Sequence, residues 1–234
     1  MTKKMHKIVI LTGAGISAES GLETFRAEDG LWAQHRVEDV ATPEGFVRDP
    51  KLVVDFYNAR RAQAATVEPN AAHRALARLE AEHQGEVIVI TQNVDDLHER
   101  GGSGTVMHMH GSLKGALCAV CDHRWPAAMV MAPGDPCPSC AAPAARPDIV
   151  WFGEMPYDMD ALFDHLASAD IFAAIGTSGN VYPAAGFVAE ARRAGAHTLE
   201  FNLERSSVGS QFAEHRTGPA SQTVPTWVDE LLKK

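Results

Sequence analysis

Hydrophobic residues gather in short apolar runs separated by segments of mixed polarity. Ile8-Val9-Ile10-Leu11 and Val87-Ile88-Val89-Ile90 are unbroken and β-branched, the pattern of strands covered on both faces. Similar stretches at 170–175 (DIFAAI) and 196–201 (AHTLEF) predict two more strands. Another is expected over 105–110, where Val106, His108 and His110 alternate with Met107 and Met109. Helices are expected between them. One spans about 50–65, with Leu52, Val53 and Phe56 on its apolar side, and a second follows Asn70 with Ala75, Leu76 and Leu79. A third covers 158–168, a fourth 183–195 with Gly195 as its stop, and a short last helix begins at Pro225. Thr42-Pro43 and Asp49-Pro50 read as N-caps followed by a first-turn proline, Asn70 as a further cap, and Asp29–Trp32 as a turn.

Strands alternating with helices predict an α/β fold: a Rossmann-type, mostly parallel sheet with helices on both faces. Four of the strands run into polar or Gly-rich turns, GAGIS, QNVD, GTS and NLE. In a parallel sheet these turns share one edge, the edge where ligands bind, and their side chains suit ribose hydroxyls and phosphate.

The turn after the first strand is the most informative. Gly13, Gly15 and Ala18 have the G-x-G-x-x-G/A spacing of a dinucleotide turn, and Ile16–Glu19 can open a helix. The physical reasons are a tight turn, close approach of backbone to a pyrophosphate, and N–H groups at a helix start. Ser20-Gly21 and Phe25-Arg26 crowd into the same segment with no period of either kind, as a ligand-facing loop would. A ribose-binding acid about 20 residues on is not evident, since Glu38 and Asp39 do not end an obvious strand. The chain thus departs from an ordinary dehydrogenase fingerprint.

All four cysteines lie together: Cys118, Cys121, Cys137 and Cys140. Two C-x2-C pairs at this separation predict a zinc ribbon whose four thiolates leave no open position, so the metal is structural. Two disulfides or a redox pair are the other readings. No apolar run reaches the ~18 residues of a membrane span, and MTKKMHK lacks a signal-peptide core; a cytoplasmic protein, with reduced cysteines, is expected. A formal charge of −9 disfavours non-specific nucleic-acid binding. The 234 residues suit one large domain carrying an inserted module. With no heptad pattern, a monomer is expected. Tyr57 and Arg60, three apart, share a helix face and could grip a carboxylate together; a core-edge phenol beside a solvated charge is the plainer reading.

Taken together these segments resemble the sirtuin family, the NAD-dependent protein deacylases. GAGISAESGLETFR at 13–26, TQNVDDLH at 91–98, His110-Gly111, the cysteine module, Phe152-Gly153-Glu154, Gly176-Thr177-Ser178 and Asn202 occur in the family's order. The likeness covers nearly the whole chain and looks nearest to bacterial CobB-type sirtuins of class III, which carry Tyr-x-x-Arg in the acyl pocket. Leu22-Glu23-Thr24 departs from the Ile-Pro of many members. The resemblance implies a Rossmann-type NAD-binding domain over 1–111 and 149–234, with a helical insert at about 27–70, and a zinc module over 112–148.

It also implies a reaction. An acyl-lysine amide oxygen displaces nicotinamide from the ribose of NAD through a cationic sugar. A ribose hydroxyl then carries the acyl group away as O-acyl-ADP-ribose. His110 would be the general base, with Asn93 and Asp95 as its catalytic companions at the nicotinamide ribose, while His108 is left structural. Gly13, Ala14, Gly15, Ser17, Phe25, Arg26, Trp32, Gln92 and Val94 would join them around the phosphates and nicotinamide. Gly176, Thr177, Ser178, Asn202, Leu203, Glu204 and Ala220 would form the adenosine side. An acyl-lysine protein would bind as an added strand between Phe152-Gly153-Glu154 and Val181. Tyr57 and Arg60 would hold a succinyl or malonyl carboxylate beyond the small Ala41. Rival readings are an NAD-linked oxidoreductase, a protein mono-ADP-ribosyltransferase on the same fold, and a non-enzymatic zinc-ribbon binding module.

Overall fold

The structure, a computed structural model, describes residues 6–22 and 35–233. The turn expected at Asp29–Trp32 and the expected ligand residues Phe25, Arg26 and Trp32 lie outside the described residues. Among the described residues the order is β1 (Ile8–Thr12), α1 (Ala14–Ala18), α2 (Val37–Val40), α3 (Pro43–Arg48), α4 (Pro50–Thr66), α5 (Ala71–Glu82), β2 (Val87–Thr91), α6 (Leu97–Arg100) and β3 (Val106–His108). Then come β4 (Gly111–Cys118), β5 (Arg124–Pro126), β6 (Ala145–Ile149), α7 (Met159–Ala167), β7 (Ile171–Ile175), α8 (Phe187–Arg193), β8 (His197–Asn202), β9 (Glu214–Thr217) and α9 (Ala220–Leu232).

Six strands form a parallel sheet in the order β3-β2-β1-β7-β8-β9. β1 and β2 are buried at every position, as unbroken apolar strands in a doubly covered sheet must be. One face, through Ile8, Ile10 and Leu199, packs on Leu76 and Leu79 of α5 and on Val224, Trp227 and Val228 of α9. The other, through Val9, Leu11 and Phe172, packs on Leu162 and Leu166 of α7 and on Phe187, Val188 and Ala191 of α8. Thr12, Thr91, Ile175 and Phe201 stand side by side in register at the ends of their strands, with Asn202 one residue beyond, so the four polar turns occupy one edge. β5-β4-β6 form a separate antiparallel sheet carrying the cysteines. A third apolar cluster joins Val53, Phe56 and Tyr57 of α4 to Leu113, Ile149 and Trp151.

The expected caps form. Thr42 accepts from the Gly45 N–H, Asp49 from the Leu52 N–H, and Asn70 from the Ala72 N–H. Three expectations need correction. The strand expected over 105–110 ends at His108, because the chain must turn from the parallel sheet into the second one; Gly111, at φ +80°, makes that turn. The helix expected over 183–195 is a 3₁₀ turn, Ala184–Gly186, followed by α8, with Gly195 at φ +92° just beyond. The last helix does not start at Pro225 but contains it. Its first turn is anchored by the Glu19 carboxylate, which accepts from the Ser221 N–H at 3.0 Å. Buried Val224, Trp227 and Val228 hold the rest against the sheet, enough to offset an interior proline.

Candidate active site

The turns after β1 and β7 interlock. A Cβ on Gly15 would stand 2.6 Å from the Gly176 Cα, and one on Gly176 would stand 2.4 Å from the Ile16 nitrogen. The glycines of the first turn therefore serve this backbone-to-backbone approach. The Gly15 N–H is also engaged, donating to the Gly176 carbonyl at 2.9 Å, and the Gly13 N–H donates to Ile175 at 3.0 Å. The expectation of free N–H groups at this helix start is corrected accordingly: those two are satisfied within the chain.

Beside this turn the β2 edge builds a polar cluster. The Asn93 Nδ2 donates to the Gly13 carbonyl at 3.2 Å and to the Ser17 hydroxyl at 3.1 Å. Ser17 in turn donates to Asp95 Oδ2 at 3.2 Å, and the other Asp95 oxygen accepts the Leu97 N–H at 3.1 Å. All three side chains are buried. Burial raises the Asp95 pKa, against the Leu97 and Ser17 hydrogen bonds and the attraction of His108 and Arg60.

His110 is tied to Gln92, the residue before Asn93 in the chain. Its Nδ1 lies 3.2 Å from the Gln92 carbonyl. A carbonyl only accepts, so Nδ1 carries the proton and the neutral ring keeps its lone pair on Nε2. Burial lowers its pKa, with the Gln92 bond working the other way. The ring is thus a base near neutral pH. His108 is its opposite. Its Nδ1 faces the Asn93 carbonyl at 3.1 Å and its Nε2 the Glu99 carboxylate at 2.6 Å, so both nitrogens donate. Burial opposes that charge, but the hydrogen bond and attraction of Glu99, with help from Asn93 and Asp95, outweigh it and raise the pKa.

The far half of the edge is formed by the turns after β7 and β8. The Asn202 Nδ2 donates to the Thr177 carbonyl at 2.8 Å, and Ser207 ties its loop to Ser178 and Gly179. Leu203 and Glu204 are exposed beyond it, while Ala220 is buried at the start of α9.

The residues expected to take an acyl chain lie partly in one buried cluster, which holds Ala41 and Tyr57. Tyr57 is buried, and its hydroxyl accepts from the Trp151 indole at 3.1 Å. Burial raises its pKa well above the ordinary value, so the phenol stays neutral. The positive charge of Arg60 favours ionisation of both Tyr57 and Asp95. Ala41 packs in the same cluster as Tyr57 and Trp151. Phe152 is 47% exposed, with its N–H on the Ala41 carbonyl at 3.0 Å. Gly153 is exposed and Val181 half-buried nearby in sequence to the β7 turn. The Glu154 carboxylate is held by Arg146 at 2.7 and 2.8 Å and accepts the Trp151 N–H. The Glu154 N–H is also engaged, donating to the Trp151 carbonyl at 3.0 Å.

The four cysteine sulfurs lie within 4.8 Å of one another. The Cys118–Cys140 and Cys121–Cys137 pairs are 3.7 and 3.8 Å apart. Sulfurs about 2.3 Å from one tetrahedral zinc would stand about 3.8 Å apart, and a disulfide would bring them to about 2 Å. Backbone N–H groups of Val120 and Ser139 donate to Cys118 and Cys137 at 3.4 Å. The donor set fits structural zinc.

The Sir2 family model matches residues 13–183, from the first glycine turn to beyond the β7 edge. The chain belongs to the Sir2 family. Curated relatives named NAD-dependent protein deacylase include one from Vibrio vulnificus, 58% identical over 97% of this chain and 94% of the relative. Another, from Escherichia coli K12, is 57% identical over 97% and 82%. A solved Sir2 homologue in complex with NAD superposes at TM-score 0.89, with 37% identity, over 97% of this chain and 90% of that one. A Sir2 structure bound to a myristoylated histone peptide superposes at 0.75, with 31% identity, over 97% and 91%.

Two buried histidines packed beside the Ser17 and Thr12 side chains were given no role by the sequence pattern. His73 accepts the Asn70 N–H on Nδ1 at 3.3 Å and reaches Ser17 with Nε2 at 3.5 Å. His98 meets the Thr12 hydroxyl at 2.9 Å, and the two rings pack edge to face at 5.0 Å. The position of His73 three residues after a capping Asn was the available signal. Nothing local to His98 announced its burial.

Proposed function

We propose that this chain is an NAD-dependent protein-lysine deacylase acting on acetyl-lysine and, through Tyr57 and Arg60, on succinyl- and malonyl-lysine, with nicotinamide and O-acyl-ADP-ribose as products. The observation that carries the reading is His110. A histidine whose ring is oriented by the Gln92 carbonyl, with Nε2 left as the basic nitrogen, is held at the residue before Asn93 of the Asn93–Ser17–Asp95 cluster, at the edge where the turns of a parallel sheet converge. The names of the curated relatives and the NAD and acyl-peptide complexes of solved relatives support it.

Each residue then has a task. Asn93 and Asp95, held by Ser17, orient the nicotinamide ribose so that its anomeric carbon faces the acyl oxygen. Gln92 and Val94 flank that ribose, and Gly13, Ala14 and Gly15 line the phosphates. A negative Asp95 favours the cationic sugar that forms as nicotinamide leaves. His110 accepts the proton of the ribose hydroxyl that attacks the acyl carbon. Gly176, Thr177, Ser178, Asn202, Leu203, Glu204 and Ala220 hold the adenosine. Phe152, Gly153, Glu154 and Val181 pair with the acyl-lysine protein as an added strand. Zinc, when bound, ties Cys118, Cys121, Cys137 and Cys140 together and takes no part in the chemistry. We assign 1–111 and 149–234 to the NAD-binding domain, with about 27–70 as its helical insert, and 112–148 to the zinc module.

No described helix is long and apolar enough to cross a membrane. We assign the chain to the cytoplasm as a monomer, and a net charge of −9 disfavours non-specific nucleic-acid binding. Mono-ADP-ribosyl transfer is the alternative, and the Tyr57–Arg60 pair and the relatives' names favour deacylation.

The test is mass spectrometry of matched acetyl-lysine and succinyl-lysine peptides with and without NAD, with His110→Tyr as control. NAD-dependent loss of the acyl group, abolished by His110→Tyr, is expected. Intact peptides alongside an added ADP-ribose mass on protein would sink the deacylase in favour of the transferase.

A further inference from the structure

The turn after β8 is built on a buried carboxylate that the reaction described above does not use. Glu200 is 2% exposed, in the middle of a strand with neighbours on both sides and directly opposite His215 of β9. A carboxylate taken out of water is costly unless its oxygens are hydrogen-bonded. Those of Glu200 are. Oε2 lies 2.9 Å from His215 Nδ1. Oε1 accepts from the Ser206 N–H at 3.1 Å and from the Asn202 amide at 3.3 Å. That same Asn202 amide donates to the Thr177 carbonyl. One buried group therefore joins the β7 turn, the β8 turn, the loop that follows it and the neighbouring β9.

We propose that Glu200 is a positioning residue for the adenosine side, setting affinity for the ADP-ribose half of the dinucleotide by fixing Asn202 and the 203–206 segment without touching the ligand. Two of its three partners are parts of the adenosine-side turn itself. Without it the Asn202 amide keeps only Thr177, and the Ser206 N–H loses its acceptor. The loop would still be tethered through Ser207, whose N–H and hydroxyl bond to Ser178 and Gly179. The loss is therefore one of aim, local to the adenosine edge. Catalysis at His110, on the other half of the sheet edge, should be spared once the dinucleotide is bound. The inference rests on the dinucleotide reading of this edge.

Calorimetric titration of the full chain with ADP-ribose tests it without requiring turnover. Glu200→Ala is expected to weaken ADP-ribose roughly tenfold, equivalent to about 1.4 kcal/mol, and to raise the KM for NAD by a similar factor. The kcat and the KM for the acyl peptide should stay within about twofold. Glu200→Gln keeps an oxygen for Ser206 and Asn202, and its amide can donate to His215 Nδ1, so it should restore affinity to within about threefold of wild type. If Glu200→Ala shows no cooperative thermal transition, His215→Ala, which removes the partner orienting Oε2, carries the test, with a loss of about threefold expected. Unchanged ADP-ribose affinity in a folded variant overturns the proposal. So does a fall in kcat with KM for NAD unmoved, which would mark Glu200 as general scaffold. A wild-type chain that binds no ADP-ribose overturns the dinucleotide reading and this inference with it; a wild type that binds beside a Glu200→Ala that binds equally overturns this inference alone.

Discussion

The Trp151 indole donates to the Tyr57 hydroxyl at 3.1 Å, in a cluster that also holds Ala41 and Phe56. The hydroxyl is thereby held as an acceptor in a buried cluster, and Arg60 stands one turn along the same helix; in the proposed function the two meet the distal carboxylate of an acyl chain. Charge-assisted bonds to a distal carboxylate are worth about 1.5–3 kcal/mol, or roughly tenfold to a hundredfold. Arg60→Met should therefore raise the KM for succinyl-lysine by at least about tenfold and leave acetyl-lysine within about threefold, read in parallel steady-state assays. Equal loss on both substrates would remove the acyl-selective role.

Tyr57→Phe tests the same contact from the side of stability. The Trp151 N–H would be left buried without its acceptor, a cost of about 1–3 kcal/mol. A chain of this size shifts its Tm by about 2–4 °C per kcal/mol, so a fall of several degrees by calorimetry is expected. A Tyr57→Phe melting point within a degree of wild type would mean that the indole finds another partner.

The pH dependence of turnover follows from His110. Burial lowers its pKa, and a base works only while neutral. The acid limb of kcat/KM should therefore fall below the ordinary histidine value of ~6.5, with activity persisting to lower pH than an exposed histidine would allow. A limb at or above 6.5 would contradict the assignment. His108 provides an internal contrast, since Glu99 holds its proton. Glu99→Gln should bring its titration downward in histidine nitrogen NMR while leaving that of His110 in place.

Stability should respond to acid through a different pair. Burial lowers the pKa of His73 to about 4 and of His98 to about 3. Unfolded, both titrate near ~6.5. Above that value both states are neutral and these rings add no slope. Below it the unfolded chain binds protons the folded one refuses, so stability falls as pH drops from about 6.5 toward 4 and then 3. Melting curves between pH 7 and 5 should show the decline, and His98→Leu should flatten it. An equal slope in wild type and His98→Leu would show that other groups carry the acid sensitivity.

The cysteine cluster makes the simplest prediction. Cys121→Ser, or a strong chelator, should take zinc from one per chain toward zero by atomic emission, and the melting temperature should fall with it, because a structural metal contributes folding free energy. Full zinc content in Cys121→Ser would require a fourth ligand from outside the cluster.

Several features were legible without any structure because their causes are local or periodic. Buried strands announce themselves as unbroken runs such as Val87–Ile90, caps as Thr42-Pro43 and Asp49-Pro50, and the metal module as two C-x2-C pairs. From strand–helix alternation follow a parallel sheet and a shared edge for the turns, and from the order of the motifs follows the family. Pro225 misled because a proline's local preference was outweighed by the packing of Val224, Trp227 and Val228 on the sheet. The strand expected to reach His110 stopped at His108 because the path into the second sheet is set by where that sheet lies.

What only the tertiary structure decided is how polar groups far apart in sequence are paired. Gly15 serves Gly176 as well as any phosphate, Glu154 is held by Arg146, and His73 and His98 meet beneath Ser17 and Thr12. The opposite shifts of His108 and His110, two residues apart, come from Glu99 on one side and from burial on the other. A residue's type and spacing state which hydrogen bonds and charges it can offer. Burial and long-range contact determine which of them are taken up, and so set pKa, orientation and role.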